Sequence, residues 1–212
     1  EMTIQGSSAV LAMNSAENRH NPEFLAEFNQ HLDTIEADQK ITSVVLTSTS
    51  DKNWSLGIDL EWMSQPTNSA EGISDFMTGV TGLLKRIVTF PLNGHAYGNG
   101  AVLACACDFR FMKSDKGFFC FPEVDVMVPF FPSMFPLINK AVPQTLFNRL
   151  AMSGQRVGAQ VLLEHNVVEG IFANEDELQT GVLEFAQGFT KKRWIYGQNK
   201  TQMNKKSIST MH

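Results

Sequence analysis

The stretch FPLNGHAYGNGAVLACACDFRFM, residues 90–112, decides the fold of this 212-residue chain. Three glycines, Gly94, Gly98 and Gly100, precede a run of small apolar residues. This pattern predicts a short strand, a glycine loop, a helix over 98–106 and a further strand over 108–112. Glycine lets the backbone bend sharply, and the first amides of a helix have no partner within it. The loop is therefore a candidate site for an anion or a developing oxyanion, or else a tight turn packed on a sheet.

Predicted strands and helices alternate on both sides of this stretch. Alternation of this kind is typical of an α/β fold with parallel strands. We predict one domain, in which residues 1–140 form a core that carries the site and residues 141–212 form a helical C-terminal region. The predicted strands are 8–14, 41–49 and 167–172, and the predicted helices are 22–37, 71–90, 143–154, 158–165 and 174–189.

The charge and the lengths of the apolar runs exclude two kinds of partner. The net charge is -5, and no long basic run occurs, which argues against a nucleic-acid partner. No apolar run is long enough to span a membrane, so we expect no membrane partner. One basic cluster near the C-terminus is either a solvated helix face or a site for an acidic ligand; it comprises Lys191, Lys192, Arg193, Lys200, Lys205 and Lys206.

The cysteines indicate a reducing compartment. Cys105, Cys107 and Cys120 lie in apolar company, form no CxxC pair and are interpreted as buried thiols, with no metal site. We expect a cytoplasmic protein, with a peroxisomal or mitochondrial matrix location left open. The sequence shows no signal-peptide pattern, although a chain that starts Glu1-Met2 could have lost a presequence.

Several common enzyme motifs are absent. The glycine spacing matches neither the phosphate loop nor the dinucleotide fingerprint, and no G-x-S-x-G nucleophile elbow occurs. The histidines show no metal-ligand spacing, and His95 before the loop is either structural or catalytic.

Two further segments carry candidate chemistry. In WSLGIDL, residues 54–60, Gly57 interrupts an apolar run and Asp59 is placed to cap the next turn. In CFPEVDVMVPFF, residues 120–131, Glu123 stands among apolar side chains, which should raise its pKa and suit it to act as a general base. If this segment is extended, Asp125 shares the face of Glu123, and spacing alone cannot choose between the two acids.

Taken in order, these segments resemble the crotonase superfamily of enoyl-CoA hydratases and isomerases. The resemblance runs from about residue 8 to residue 175. It rests on residues 9–48, on WSLGIDLEWM (54–63), on NGHAYGNGAVLACACDFRFM (93–112), on FPEVDVMVP (121–129) and on residues 151–172. It implies a crotonase-like fold of repeated ββα units, an acyl-CoA substrate bound between two sheets, and a homotrimer or a dimer of trimers. Coenzyme A is then part of the substrate, and no separate cofactor or metal is implied.

The resemblance also assigns roles to residues. The backbone amides of Ile58 and Asn99 correspond to the pair that binds the thioester oxygen in the family, with Asn99 in place of a glycine. The apolar run 118–135 is expected either to form a wall of the acyl pocket or to pack in the core. Other residues implied in substrate binding are Leu56, Gly57, Gly98, Gly100, Asn18, Arg19 and Phe121, of which Asn18 and Arg19 match a region that contacts coenzyme A.

One departure from the family pattern points to the reaction. Hydratases that the chain resembles carry two glutamates, and the first of these positions is Val102 here, which leaves Glu123 alone. A single carboxylate is sufficient to move a proton from C2 to C4 of a 3-enoyl-CoA. The sequence therefore predicts a Δ3-Δ2-enoyl-CoA isomerase. The alternatives are another CoA-thioester reaction (a hydratase, thioesterase or decarboxylase) or a family member that binds acyl-CoA without catalysis.

Overall fold

The computed structural model describes residues 1–87, 92–93 and 96–209. The predictions on Gly94 and His95 lie outside these residues. The strands are β1 Met2–Gln5, β2 Ser8–Met13, β3 Arg19–His20, β4 Ser43–Ser48, β5 Gly57–Ile58, β6 Leu92–Asn93, β7 Ala96–Tyr97, β8 Arg110–Lys113, β9 Phe119–Cys120 and β10 Gly170–Phe172. The helices are α1 Pro22–Ala37, α2 Leu60–Met63, α3 Ala70–Ile87, α4 Asn99–Ala106, α5 Phe135–Ala141, α6 Gln144–Ser153, α7 Ala159–Glu164, α8 Glu175–Gln187 and α9 Arg193–Ser209, with a 3₁₀ turn over Pro132–Met134 before α5.

The main sheet has six strands in the order β1-β2-β4-β6-β8-β10. Its strands pair in parallel except for β1 and β2, which pair antiparallel. Val44 and Val45 of β4 are both buried, as expected of a parallel strand covered on both faces. The predicted mixed α/β architecture is confirmed.

Four short strands form two small parallel sheets beside the main one. Strand β3 pairs with β5, and β7 pairs with β9. A bridge between Ser55 and Ala96 joins the two pairs. The segments that sequence analysis singled out as candidate chemistry are therefore neighbours in space.

Helix α4 is the centre of the core, because all eight of its residues are buried. Its small side chains let other elements approach closely, and it packs against α3, α5, β5 and β7. Two cations lie at its C-terminal end, where the helix dipole favours positive charge. Lys140 Nζ donates to Ala106 O at 3.1 Å, and Arg110 Nη1 donates to Cys107 O at 2.6 Å.

The C-terminal part of the chain is not purely helical. Strand β10 pairs with β8 and completes the main sheet, and the predicted boundary after residue 140 falls inside α5. Part of the basic cluster attaches α9 to the rest of the chain. Arg193 donates to the carbonyls of Ile35 and Asp38, and Lys200 forms an ion pair with Asp108, whereas Lys191 and Lys192 are exposed.

The three cysteines are buried and free. Burial raises the pKa of Cys120 to about 11 and that of Cys105 to about 12, so these thiols stay protonated at neutral pH. Within the described ranges, no helix combines the length and the apolar character needed to cross a bilayer.

Candidate active site

A mainly apolar cavity of about 250 Å³ opens beside the N-terminus of α4. Three of its lining residues are those to which sequence analysis gave catalytic roles, namely Ile58, Asn99 and Glu123. The remaining lining residues are Arg19, Leu56, Leu60, Met63, Met77, Tyr97, Gly98, Pro122, Val126, Val128, Pro129, Phe131 and Met134. Five separate segments of the chain thus meet around one space.

Two backbone segments approach each other closely at the edge of this cavity. Asn99 is the first residue of α4, and the helical hydrogen bonds begin with Val102 N donating to Gly98 O. The N–H of Asn99 therefore has no acceptor within its own helix, and it lies at the positive end of the helix dipole. A methyl group built on Gly57 would lie only 2.8 Å from Asn99 N. Gly57 also has φ 77°, so both its conformation and its surroundings require glycine.

Strand β5 is held in place from two sides. Tyr97 N donates to Ser55 O, and Gly98 N donates to Cys120 O, which ties the glycine loop to both small sheets. A methyl group on Gly100 would lie 2.5 Å from Ser55 O, so α4 packs directly on the chain before β5. These contacts fix the position of the Asn99 amide relative to Ile58.

Glu123 lies in a turn that follows β9, not in the extended strand that the resemblance suggests. The turn is closed by Asp125 N and Val126 N, which both donate to Pro122 O, and by Val128 N, which donates to Glu123 O. Burial raises the pKa of Glu123 to about 7, because desolvation disfavours the charged carboxylate. Its Oε2 atom is buried and has no hydrogen-bond partner in the described part of the chain.

The turn separates the two candidate acids. Asp125 is exposed, and its carboxylate lies against Gly154 at the end of α6, where a Cβ atom would overlap it. Glu123 lines the cavity and Asp125 does not. The alternative in which both acids share a face is therefore wrong, because the turn rotates them apart.

The sequence profile of the enoyl-CoA hydratase/isomerase family matches residues 3–211. The chain belongs to this family. A probable enoyl-CoA hydratase of Mycobacterium tuberculosis superimposes with a TM-score of 0.89 over 100% of this chain and 90% of its own, at 17% identity. This likeness supports the crotonase-like fold.

Two curated proteins are similar to this chain in sequence. Peroxisomal enoyl-CoA delta isomerase 2 of Arabidopsis thaliana is 23% identical over 84% of this chain and 79% of its own length. Carnitinyl-CoA dehydratase of Shigella flexneri is 29% identical over 71% of this chain, and the match spans 58% of the dehydratase. Both act on CoA thioesters by name, but they catalyse different reactions.

Compared with the hydratase pattern of this family, the site lacks an acid in α4. Val102 has an exposed fraction of 0% and belongs to the hydrophobic core. It is not among the residues that line the cavity. An apolar side chain packed in the core thus occupies this position, and α4 contributes no carboxylate to the cavity.

The structure brings most of the predicted substrate-binding residues to the cavity or directly behind it. Leu56, Gly98 and Arg19 line it, and Gly57 and Gly100 lie in the backbone contacts just described. Arg19 Nε donates to Glu17 Oε2 at 2.6 Å, so its charge is partly compensated. Arg19 also lines a second, more polar cavity of about 290 Å³ between β2 and α1.

Two predicted substrate-binding residues are placed elsewhere. Phe121 has an exposed fraction of 0%, and its ring packs on Phe119, Phe130 and Phe147 in the core, because its side chain points away from the cavity that Glu123 lines. Asn18 is buried with φ 46°, and its amide donates to Trp54 O and Ser48 Oγ. Asn18 therefore supports the loop and lines only the second cavity.

Sequence reasoning missed the far wall of the cavity and a buried histidine. Leu60, Met63 and Met77 come from α2 and α3, and only their apolar character in helices would have drawn attention to them. The apolar run 118–135, expected either to form a wall of the acyl pocket or to pack in the core, does both. Phe131 lines the cavity, and Phe119 packs in the core. His20 is buried next to the site and no motif singled it out.

Proposed function

We propose that the protein isomerises 3-enoyl-CoA to 2-enoyl-CoA with one carboxylate as the proton carrier. The observation that carries this proposal is the composition of the cavity. Among its described lining residues, Glu123 is the only acid, and it lies in the same cavity as the two residues whose amides are assigned to the thioester oxygen. The delta isomerase of Arabidopsis thaliana, similar over most of the chain, supports the same choice.

In the proposed reaction, Glu123 removes a proton from C2 of the substrate. The electron pair moves into the thioester, which becomes a dienolate, and the amides of Ile58 and Asn99 stabilise the negative oxygen. The protonated Glu123 then delivers the proton to C4, and the double bond moves from C3–C4 to C2–C3. The carboxylate is regenerated, so no water or other reactant is consumed.

Two features of the site suit this chemistry. A carboxylate with a pKa of about 7 is a stronger base than an ordinary glutamate and is still partly ionised at neutral pH. Backbone amides at a helix N-terminus are preorganised, and a single donor of this kind is commonly worth about 3 kcal/mol of transition-state stabilisation. The mainly apolar lining strengthens the attraction between these donors and the developing negative charge, because it lowers the local dielectric constant.

The remaining parts of the proposal concern the bound molecule and the assembly. Arg19 lines both cavities, which supports a contact with the coenzyme A part of the substrate. From the resemblance we also propose a homotrimer or dimer of trimers, located in the cytoplasm or in a peroxisomal or mitochondrial matrix. Sedimentation of the purified protein would measure the assembly.

The deciding experiment compares two substitutions of the same kind two residues apart. Purified wild-type protein should convert 3-hexenoyl-CoA to 2-hexenoyl-CoA, followed by the absorbance of the conjugated thioester. Glu123→Gln should lower kcat at least 1000-fold, whereas Asp125→Asn should leave it within twofold. A Glu123→Gln variant with full activity would show that another group carries the proton.

The dehydratase relative gives a second candidate, which is addition or removal of water at a CoA thioester. It predicts that the protein hydrates crotonyl-CoA at a rate comparable with isomerisation. The buried valine at the family's first glutamate position argues against it. Measuring both reactions on one preparation separates the candidates, and binding of acyl-CoA without any turnover would indicate a non-catalytic member.

A further inference from the structure

His20 connects the two segments that carry the assigned amide donors. It lies in β3, which pairs in parallel with β5, so that His20 is opposite Ile58. Asp59 N, one residue further on, donates to His20 O at 2.9 Å. The imidazole meanwhile reaches across to Asn99 at the start of α4, 79 residues away in sequence.

The hydrogen bonds around the ring form one consistent chain. Asn99 Nδ2 lies 2.9 Å from His20 Nδ1, and since an amide NH₂ can only donate, Nδ1 is the acceptor. The ring proton is then on Nε2, which lies 2.9 Å from Ser55 Oγ and donates to it. Ser55 Oγ passes its own hydrogen to Asn18 O at 2.8 Å and accepts the N–H of Gly57 at 3.1 Å. Both ring nitrogens of His20 and the hydroxyl of Ser55 are thereby paired.

The ring of His20 is buried, and its two hydrogen bonds set its orientation. His20 has an exposed fraction of 1%, and Phe24 stacks on its face at 4.5 Å. Burial lowers the pKa of His20 to about 3, so the imidazole stays neutral and Nδ1 keeps the lone pair that Asn99 needs. Asn99 Oδ1 has no partner in the described part of the chain, so the bond to His20 is what orients this side chain.

The pairing also accounts for Asn99 at a position where the family pattern has glycine. A glycine there leaves the helix N-terminus held only by backbone contacts. An asparagine gives that terminus a side-chain anchor, and the anchor needs an acceptor at the position of His20 Nδ1. His20 and Asn99 thus form one buried pair. Through it, His20 bonds to Asn99 at the start of α4 and to Ser55 just before β5.

We propose that His20 is a positioning residue that holds the amides of Ile58 and Asn99 at the spacing required for the thioester oxygen. It does not touch the substrate, since it is not among the cavity-lining residues. It acts on Asn99 directly and on the Gly57–Ile58 strand through Ser55. The inference rests on the proposed function, because it presumes that these two amides bind a thioester oxygen.

The test reads the polarisation of a bound carbonyl, which does not depend on turnover. The probe is butanoyl-CoA labelled with ¹³C at the thioester carbonyl, and its infrared stretch is compared free and bound to the full chain. Wild-type protein should shift the stretch to lower wavenumber, because two amides donate to the oxygen. His20→Phe, which keeps an aromatic ring against Phe24 but removes both hydrogen bonds, should lose at least half of this shift.

Kinetics and two matched variants complete the experiment. His20→Phe should lower kcat for 3-hexenoyl-CoA about 10-fold or more with KM changed less than threefold. His20→Asn, whose Oδ1 can replace Nδ1 as acceptor, should recover part of the shift and part of kcat. Phe24→Leu removes the stacking but neither bond, so it should lower the melting temperature and leave the carbonyl shift unchanged.

The outcomes distinguish a wrong assignment of the oxyanion site from a wrong role for His20. If wild-type protein binds butanoyl-CoA without any carbonyl shift, the assigned oxyanion site is wrong, and the proposed function fails together with the role of His20. If wild-type protein shows the shift and His20→Phe keeps both the shift and kcat, only the positioning role is overturned. A loss of stability in His20→Phe equal to that of Phe24→Leu, with unchanged spectra, would also overturn it.

Discussion

The Cβ position of Gly57 lies 2.8 Å from the backbone nitrogen of Asn99, closer than any side-chain carbon is tolerated. The strand that carries Ile58 and the helix that begins at Asn99 are therefore in direct backbone contact, with no side chain between them. Only a glycine permits this approach, and Gly57 also adopts a positive φ of 77°. The separation of the two assigned amide donors depends on this contact.

We predict that Gly57→Ala lowers kcat about 100-fold with a moderate loss of stability. The methyl group would push β5 away from α4, and losing one aligned donor costs about 100-fold in kcat. The strain at positive φ should lower the free energy of unfolding by about 1–3 kcal/mol. Thermal unfolding and the isomerase assay measure the two effects.

Gly82→Ala is the matched control. Gly82 lies in α3 with nothing within 4 Å of its Cβ position, so alanine should keep full activity. It should stabilise the helix by roughly 0.5–1 kcal/mol. Equal activity of the two variants would contradict the requirement for close approach at Gly57.

We predict an acidic limb in the pH dependence of kcat/KM, with an apparent pKa near 7. The reaction begins with the ionised carboxylate, and burial raises the pKa of Glu123 to about 7. Activity should therefore rise as pH increases through 7, and fall about tenfold for each pH unit well below it. Initial rates from pH 5 to 9 at low substrate give the profile. A limb near 4.5, the ordinary value for glutamate, would show that Glu123 is solvated and that the cavity does not tune it.

We predict that Glu123→Gln stabilises the protein at high pH and not at low pH. The folded-state pKa of this carboxyl is raised above its unfolded value, so the protonated form favours folding. Its contribution is fully present below about pH 4.5 and is lost as pH rises through about 7. Because the side chain is partly exposed and solvent reduces the effect, we expect a gain for glutamine of about 1–2 kcal/mol at pH 8.5. Urea unfolding at pH 5 and pH 8.5 measures it, and a gain of equal size at both values would contradict the ionisation argument.

The elements that sequence predicts well have local signals. Helix α1 begins where Asn21 caps the N–H of Phe24 and Pro22 occupies the first turn, and its buried residues recur every three or four positions, as in an amphipathic helix. Helix α4 begins at Asn99, within one residue of the prediction. Asp59 caps α2 by accepting from Trp62 N, as predicted.

The elements that sequence misses depend on distant contacts. Strand β1 has only four residues, is mostly exposed and is stabilised by pairing with β2, so it is too short to give a clear pattern and has no buried face. Helix α5 follows several prolines, which hide its pattern even though Pro132 and Pro136 occupy first-turn positions. The turn at Glu123 and the bond between His20 and Asn99 arise only when separate segments meet. Residue types therefore indicate the chemistry here, and folding decides which acid faces the cavity.

The last prediction concerns Val102, where the hydratases that the chain resembles carry a glutamate. We predict that Val102→Glu destabilises the protein by several kcal/mol at pH 8 and creates no hydratase activity. The helix N-terminus favours a negative charge by about 1 kcal/mol, but burying an unpaired carboxylate costs several times more. Because Val102 is fully buried in the core, the desolvation cost decides the outcome.

The pH dependence identifies charge as the cause in this variant. The new carboxyl should have a raised folded-state pKa, so the penalty should be smaller at pH 5, where it is protonated, and larger at pH 8. Val102→Gln has nearly the same shape without a charge, and its penalty relative to wild type should not change between these pH values. Thermal unfolding of both variants at the two pH values, with crotonyl-CoA hydration measured in parallel, gives the comparison. A stable Val102→Glu protein that hydrates crotonyl-CoA would mean that a side chain at position 102 can reach the cavity. The single carboxylate of the site would then follow from the valine at this position and not from its burial in the core.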